Sequence, residues 1–192
     1  DGSFRLGDFA LVGDNLVFEQ GVLVFHPENI QIGSNVYVGH QTILKGYYVN
    51  QFIIKNDVWI GQQCFFHSAG GLVIEEGVGI GPGVKVITSY HSDPGRDQPI
   101  MSGELVFAPV TIGRYCDVGT GSVVLPGVTL GEGTQVGAGA VVAAETSRPA
   151  PYWFLQRRQL WTPTSNLVCP LGGFPFFLLF SPMLDVGYPQ SV

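Results

Sequence analysis

The chain has 192 residues, enough for one domain with a sizeable core. Charged residues make up only 12%, about half the usual share of roughly 25%, and 27 residues are glycine, which leaves little room for freely solvated helix. A net charge of −6 provides no broad basic surface, so nucleic acid is not expected as a partner.

Taken from the N-terminus, aliphatic and aromatic residues recur at intervals of six. The first run is Leu6, Val12, Phe18, Val24 and Ile30, and the second is Ile32, Val38 and Leu44. Ile54, Ile60, Phe66 and Leu72 follow, then Ile74, Ile80 and Val86. After a long interruption the beat returns with Ile112, Val118, Val124, Leu130, Val136 and Val142. A glycine commonly stands directly after the beat, as at Gly33, Gly61, Gly81 and Gly119, and four residues after the beat lies a small or β-branched residue, as at Thr42, Cys64, Cys116 and Ser122.

A helix repeats every 3.6 residues and an open strand every two, so a sixfold beat fits neither. It fits short strands joined by corners, with three units closing one triangular turn and each turn burying its face against the next. The beat residue is expected to point inward, the small residue to pack beneath the corner, and the glycine to accept the corner's turn geometry. On that register Cys64 and Cys116 are inward.

The interruption, residues 89–109, reads "SYHSDPGRDQPIMSGELVFAP" and is rich in His, Asp, Pro and Gly. Polar excursions from a rigid scaffold commonly carry function. Beyond Val142 the beat stops. Residues 147–192 form a C-terminal tail or cap without the repeat, and its "FPFFLLFSPML" segment is far shorter than the ~20 residues that span a bilayer. A transmembrane helix is therefore not expected, and the segment reads as a cap on the open coil end, a membrane-surface or partner-binding patch, or a tail out of register with the repeat. Three cysteines without CxxC spacing, and no basic and apolar leader pattern at the start, fit a reducing cytoplasm.

The units "IGSNVY", "IGPGVK", "IGRYCD", "LGEGTQ" and "VGAGAV" resemble the left-handed parallel β-helix of the hexapeptide-repeat acyltransferases. The fold this implies is all-β, a left-handed parallel β-helix over residues 1–146 with one long loop excursion at 89–109. The handedness comes from the resemblance, since it runs against the usual crossover hand. Within that family, "VIEEGVGIGPGVKVITSYH", "QPIMSGELVFAPVTIG" and "GSVVLPGVTLGEGTQVGAGAVV" most resemble the maltose, galactoside and polysaccharide O-acetyltransferases. That resemblance implies direct transfer of acetyl from acetyl-CoA to a hydroxyl of a sugar or glycan precursor, in a homotrimer with sites between subunits and no metal. Trp59, Phe65 and Tyr115 suit burial on flat faces between subunits.

In such enzymes the histidine at the start of the loop is the catalytic base, and here that position is His91. A sugar hydroxyl is a poor nucleophile until its proton is accepted, and an imidazole with an ordinary pKa near 6.5 can accept one at neutral pH. Asp93 or Asp97 is a candidate to orient the ring, and Asp93 to contact the acceptor. His67, about one coil earlier, is expected near His91 and lining the acceptor site, whereas His26 and His40 read as corner or surface residues. Thr120 and Ala138 fall where the family places the pantetheine arm of the donor, with Gly119 expected to allow its close approach and Ala143 expected beside the coenzyme. Ala143 and Ala144 replace the hydroxyl and base that usually help hold coenzyme A, and Arg148, Arg157 and Arg158 are candidates to supply the missing charge.

Two other functions share this fold. One is a γ-type carbonic anhydrase with three zinc histidines, for which the close H-x4-H pair is lacking. The other is a non-catalytic scaffold or binding module, since fold alone does not dictate function.

Overall fold

In the computed structural model, residues 1–143 are described. They form three six-stranded parallel sheets around a triangular coil, with strands only two or three residues long. Each strand lies over its equivalent in the previous turn, and the beat residues stack into three columns. Ile32, Ile54, Ile74, Ile112 and Leu130 pair in register along the first sheet. Val38, Ile60, Ile80, Val118 and Val136 do so in the second. Val24, Leu44, Phe66, Val86, Val124 and Val142 do so in the third. All of these are buried. The first sheet buries a second column, Ile30, Phe52, Leu72 and Val110, because its three-residue strands turn their first and third side chains inward.

The small positions pack inward as the register requires. The hydroxyl of Thr42 donates to the Gly61 carbonyl at 2.9 Å, and the Sγ of Cys64 lies 3.3 Å from the Gly81 carbonyl. Cys64 and Cys116 are both buried and free, and burial pushes both thiols above their ordinary value. A buried thiol in apolar surroundings stays protonated and reacts slowly. Maleimide labelling of the native protein is therefore expected to spare both until denaturant is added, and prompt labelling of either would contradict the inward register.

The beat glycines serve a different purpose from the one the repeat suggests. Their φ angles are not in the left-handed region; instead Gly33, Gly61, Gly81 and Gly119 lie against the backbone of the next turn. A Cβ on Gly61 would sit 2.6 Å from the Pro82 nitrogen, and one on Gly81 would sit 2.7 Å from the Thr120 nitrogen. Close stacking of coils, not turn geometry, excludes a side chain there. The left-handed position falls two residues later, where Asn15, Asn35 and Asp57 have φ near 56°, 59° and 58°. Asn and Asp tolerate that region, and here they also bond to one another. Asn15 donates to Asn35 and Asn35 donates to Asp57, each at 2.9 Å, forming a ladder up one corner.

The first turn is closed by aromatic rings. Phe4 packs edge-on against Phe9 and Phe18 at centroid distances of 5.6 and 5.1 Å, and the Gly2 carbonyl accepts from the Val24 amide. Leu6 is not an inward beat: it lies in a single 3-10 turn, Leu6–Asp8, and is 50% exposed. Chain entry over an open coil end needs a cover, and the phenylalanines supply it in place of another repeat.

Departures from regular spacing gather at one edge, where the chain returns from the third sheet to the first. Residues 26–29, 46–51, 68–71 and 88–109 all lie there. The longest carries an antiparallel hairpin of Ser89–His91 with Leu105–Phe107. Among the described residues no helix is long and apolar enough to cross a membrane. The expected tail, residues 147–192, lies outside the described residues, as do Ala144, Arg148, Arg157 and Arg158.

Candidate active site

The long excursion is rooted firmly. Its two feet, Thr88 and Ala108, are joined by a hydrogen bond from the Ala108 amide to the Thr88 carbonyl at 2.9 Å. The Thr88 hydroxyl donates to the His67 carbonyl at 2.7 Å and accepts from the Gly70 amide at 2.8 Å. A Cβ on Gly70 would collide with the Thr88 carbonyl, so glycine is required where the hairpin leaves the coil. From these feet the strand pairing carries His91 outward opposite Leu105.

His91 is half-buried, and its Nδ1 lies 3.1 Å from the Gly103 carbonyl oxygen. A carbonyl oxygen can only accept, so Nδ1 carries the hydrogen and the neutral ring presents the lone pair of Nε2. The ring is thus oriented by backbone. Asp93 does not do it: its Oδ1 accepts from the Gly95 amide at 2.9 Å, closing a local turn at an exposed position of the loop. A Cβ on Gly103 would collide with the Ser92 carbonyl, which is why the chain can approach His91 closely only with glycine there.

Side chains alternate along a strand, and residues opposite one another in an antiparallel pair share a face. Ser89, His91, Leu105 and Phe107 therefore occupy one face of the hairpin, and Tyr90 and Val106 the other. Phe107 in turn meets Tyr47 from the 46–51 excursion, with ring centroids 6.3 Å apart. Tyr47 stands edge-on to His67 at 5.5 Å and against Tyr48 at 4.6 Å. Its carbonyl is anchored by the Asn29 side chain at 2.8 Å. Tyr47 is the link between His67 and the hairpin face that carries His91. Direct stacking of the two histidines, expected from the repeat count, does not occur: the residue paired above His67 is Ile87. The hairpin bends away before His91 is reached.

His67 points outward from the third sheet between Lys45 and Ile87. Partial burial, followed by the charge of Lys45, lowers its pKa below the ordinary 6.5. Less proton is then held by the folded chain than by the unfolded one at mildly acidic pH, so this contribution to stability is present above 6.5 and declines as pH falls through the folded value. Thermal melts of the parent and His67→Gln between about pH 8 and pH 5 check this, a range spanning the usual histidine titration. The parent is expected to lose ground to the variant on acidification, and parallel curves would contradict it. His26 and His40 are exposed and held by nearby carboxylates, Glu28 at 2.9 Å and Glu19 at 3.1 Å, away from this group.

The expected donor residues lie across the third sheet, at the corner where the second sheet turns into it. Thr120 and Ala138 are exposed in successive coils, with the Gly139 amide donating to the Thr120 carbonyl at 2.8 Å. Gly119 sits between them, but the space beside it is filled by its own chain: a Cβ would stand 2.5 Å from the Val136 carbonyl and 2.6 Å from the Ala138 nitrogen. Its missing side chain admits the next coil. Ala143 is exposed just beyond the last strand, Val141–Val142. Trp59, Phe65 and Tyr115 do not share a face: Trp59 is on the second sheet, Phe65 on the third, and Tyr115 at a corner with its ring over Gly77. Trp59, 43% exposed, stacks on Tyr37 at 5.6 Å. Among the described residues, no three His, Cys, Asp or Glu side chains converge as a metal site would require.

The repeat pattern alone does not single out Tyr47, Phe107, Lys45 or Gly103. One signal was available for Tyr47, since "GYYVNQ" breaks the spacing at the same edge as the long loop.

No sequence-family profile and no curated protein sequence matches the chain. Solved structures similar to this chain include acyltransferases. AntD, an N-acyltransferase from Bacillus cereus in complex with dTDP and 3-hydroxybutyryl-CoA, superposes with a TM-score of 0.63 at 22% identity, over 72% of this chain and 74% of its own. A variant of that enzyme, bound to dTDP-4-amino-4,6-dideoxyglucose and coenzyme A, gives 0.60 at 19% identity, over 72% and 76%. A hexapeptide-repeat acetyltransferase from Vibrio cholerae, complexed with acetyl coenzyme A, gives 0.50 at 22% identity, over 72% and 63%. The likeness is one of fold: a parallel β-solenoid of the hexapeptide-repeat type.

Proposed function

We propose that this chain is an acyl-CoA-dependent acyltransferase, with acetyl-CoA as donor and a hydroxyl of a sugar or glycan precursor as acceptor. The observation that carries the reading is the hydrogen bond from His91 Nδ1–H to the Gly103 carbonyl, which leaves Nε2 as a proton acceptor in the excursion. The acyl-CoA ligands of the solved neighbours support the choice of donor. Thr120, Ala138 and Ala143 are the exposed residues that would hold it, with Gly119 serving the coil behind them. The working unit is a homotrimer.

The donor supplies an activated acyl group as a thioester. His91 Nε2 takes the proton of the acceptor hydroxyl as its oxygen bonds to the acyl carbon, and the Gly103 carbonyl steadies the imidazolium that forms through Nδ1–H. When the carbon–sulfur bond breaks, Nε2 returns the proton to the departing sulfur. His67, Tyr47 and Phe107 bound the acceptor side. The described cysteines are buried as thiols, so direct transfer needs no covalent acyl-enzyme on either. Initial rates with both substrates varied, and product identified by mass spectrometry, test this. Intersecting reciprocal plots and an O-acylated sugar are expected. Parallel plots would indicate a covalent intermediate and refute direct transfer.

A further inference from the structure

The outer face of the third sheet has an unusual charge distribution for an acidic chain. Its three central strands turn outward Ile43, Lys45, Phe65, His67, Lys85 and Ile87. None of these is a carboxylate, although the chain carries fifteen acids against nine lysines and arginines, since Asp and Glu total 15 and Lys and Arg total 9. The flanking strands, Leu23–Phe25, Val123–Val124 and Val141–Val142, add no charge. Lys45 is half-buried and stands directly beneath His67, at the strand spacing of about 4.8 Å between backbones. Among the described residues the lysine in an ion pair is Lys55, with Glu75, and Lys45 has no carboxylate partner. Two residues further along the chain come Tyr47 and Tyr48, the latter 67% exposed, with Phe107 of the hairpin facing Tyr47.

A half-buried lysine with no carboxylate partner among the described residues, next in register to His67 and the rings around it, suits a ligand that brings its own negative charge and a ring with an apolar face. We propose that the acceptor is an anionic sugar, its phosphate or carboxylate held by Lys45 and its ring against Tyr47 and Phe107, between His67 and the hairpin that carries His91. The inference rests on the acyltransferase reading and narrows the class of acceptor. A point-charge ammonium takes either oxyanion, so the two sources are separated by experiment.

Thiol release from acetyl-CoA is followed with glucose, a glucose phosphate and glucuronate, using the parent, Lys45→Gln and Lys45→Arg. At least one charged sugar is expected to exceed glucose in kcat/KM by about tenfold or more, as a charge-assisted hydrogen bond supplies. Lys45→Gln is expected to bring that ratio close to one through KM of the charged acceptor, and Lys45→Arg to retain most of it. The preferred arm identifies phosphate or carboxylate. Equal use of glucose and both charged sugars by the parent would overturn the inference while leaving the acyltransferase standing. A change confined to KM for acetyl-CoA would also overturn it, assigning the charge to the donor. Calorimetric titration of the donor-free protein with each charged sugar separates the two readings. Binding lost in Lys45→Gln, without turnover of any acceptor, would sustain the anion site and reject the acyltransferase. Absence of binding and of charged-sugar preference together would reject the site.

Discussion

Replacing His91 with alanine is expected to lower acyl transfer by about 10²- to 10⁴-fold, the range one positioned acid–base group supplies, while the coil stays folded. The fold should survive because His91 lies in the Ser89–His91 strand of the excursion and belongs to none of the three buried columns. Its ring bonds only to the Gly103 carbonyl among the described residues, and Gly103 lies in the excursion and is not fully buried. Affinity for the donor should change little, since Thr120 and Ala138 lie at the far margin of the third sheet. Steady-state thiol release with circular dichroism on the same preparations checks all three points. A folded variant with near-parental transfer would remove His91 from the mechanism and direct attention to His67.

Gly119→Ala is expected to cost stability more than donor affinity. The added methyl would meet the Val136 carbonyl at 2.5 Å and the Ala138 nitrogen at 2.6 Å, both backbone atoms of the following coil. Neither can move aside without separating two turns whose strands, Asp117–Val118 and Gln135–Val136, are paired. Overpacking of this kind costs about 1–3 kcal/mol, and a rigid backbone neighbour places the variant toward the upper end. Chemical denaturation should show the loss directly, with the acetyl-CoA dissociation constant of the remaining folded protein nearly unchanged. Full parental stability with weakened donor binding would mean that the space beside Gly119 belongs to the ligand after all.

Much of the fold is legible in the sequence because each beat residue faces inward against its counterpart one turn away. Val24, Leu44, Phe66 and Val86 lie twenty or more positions apart and still stack in one column. The same register places Thr42, Cys64 and Ser122 correctly inward. It misplaces Leu6, because the repeat does not encode the cover that the first coil needs, which Phe4 and Phe9 provide. It also misreads the beat glycines, since a missing Cβ serves close approach as readily as left-handed φ, and only the neighbouring coil decides between them.

The candidate site is legible in part. His91 is a candidate through the family resemblance of the loop that it opens, but the group that fixes its tautomer is a backbone carbonyl, which no side-chain pattern announces. Asp93 is the more conspicuous partner in the sequence, yet its carboxylate is taken up by the Gly95 amide two residues on. Tyr47 and Phe107 are separated by sixty positions and meet because both excursions leave at the same edge, a coincidence of corners that spacing within one run does not reveal.

The central claim is that the chain moves an acyl group from coenzyme A to a sugar in one step. A single-turnover experiment tests it most directly: enzyme in excess over acetyl-CoA, free thiol recorded with and without a sugar acceptor. The account predicts a burst of thiol, equal in amount to the donor, that appears only when a suitable acceptor is present and is matched by acylated sugar. Release of the same amount of thiol without any acceptor, or none with every neutral and anionic sugar offered, would contradict it.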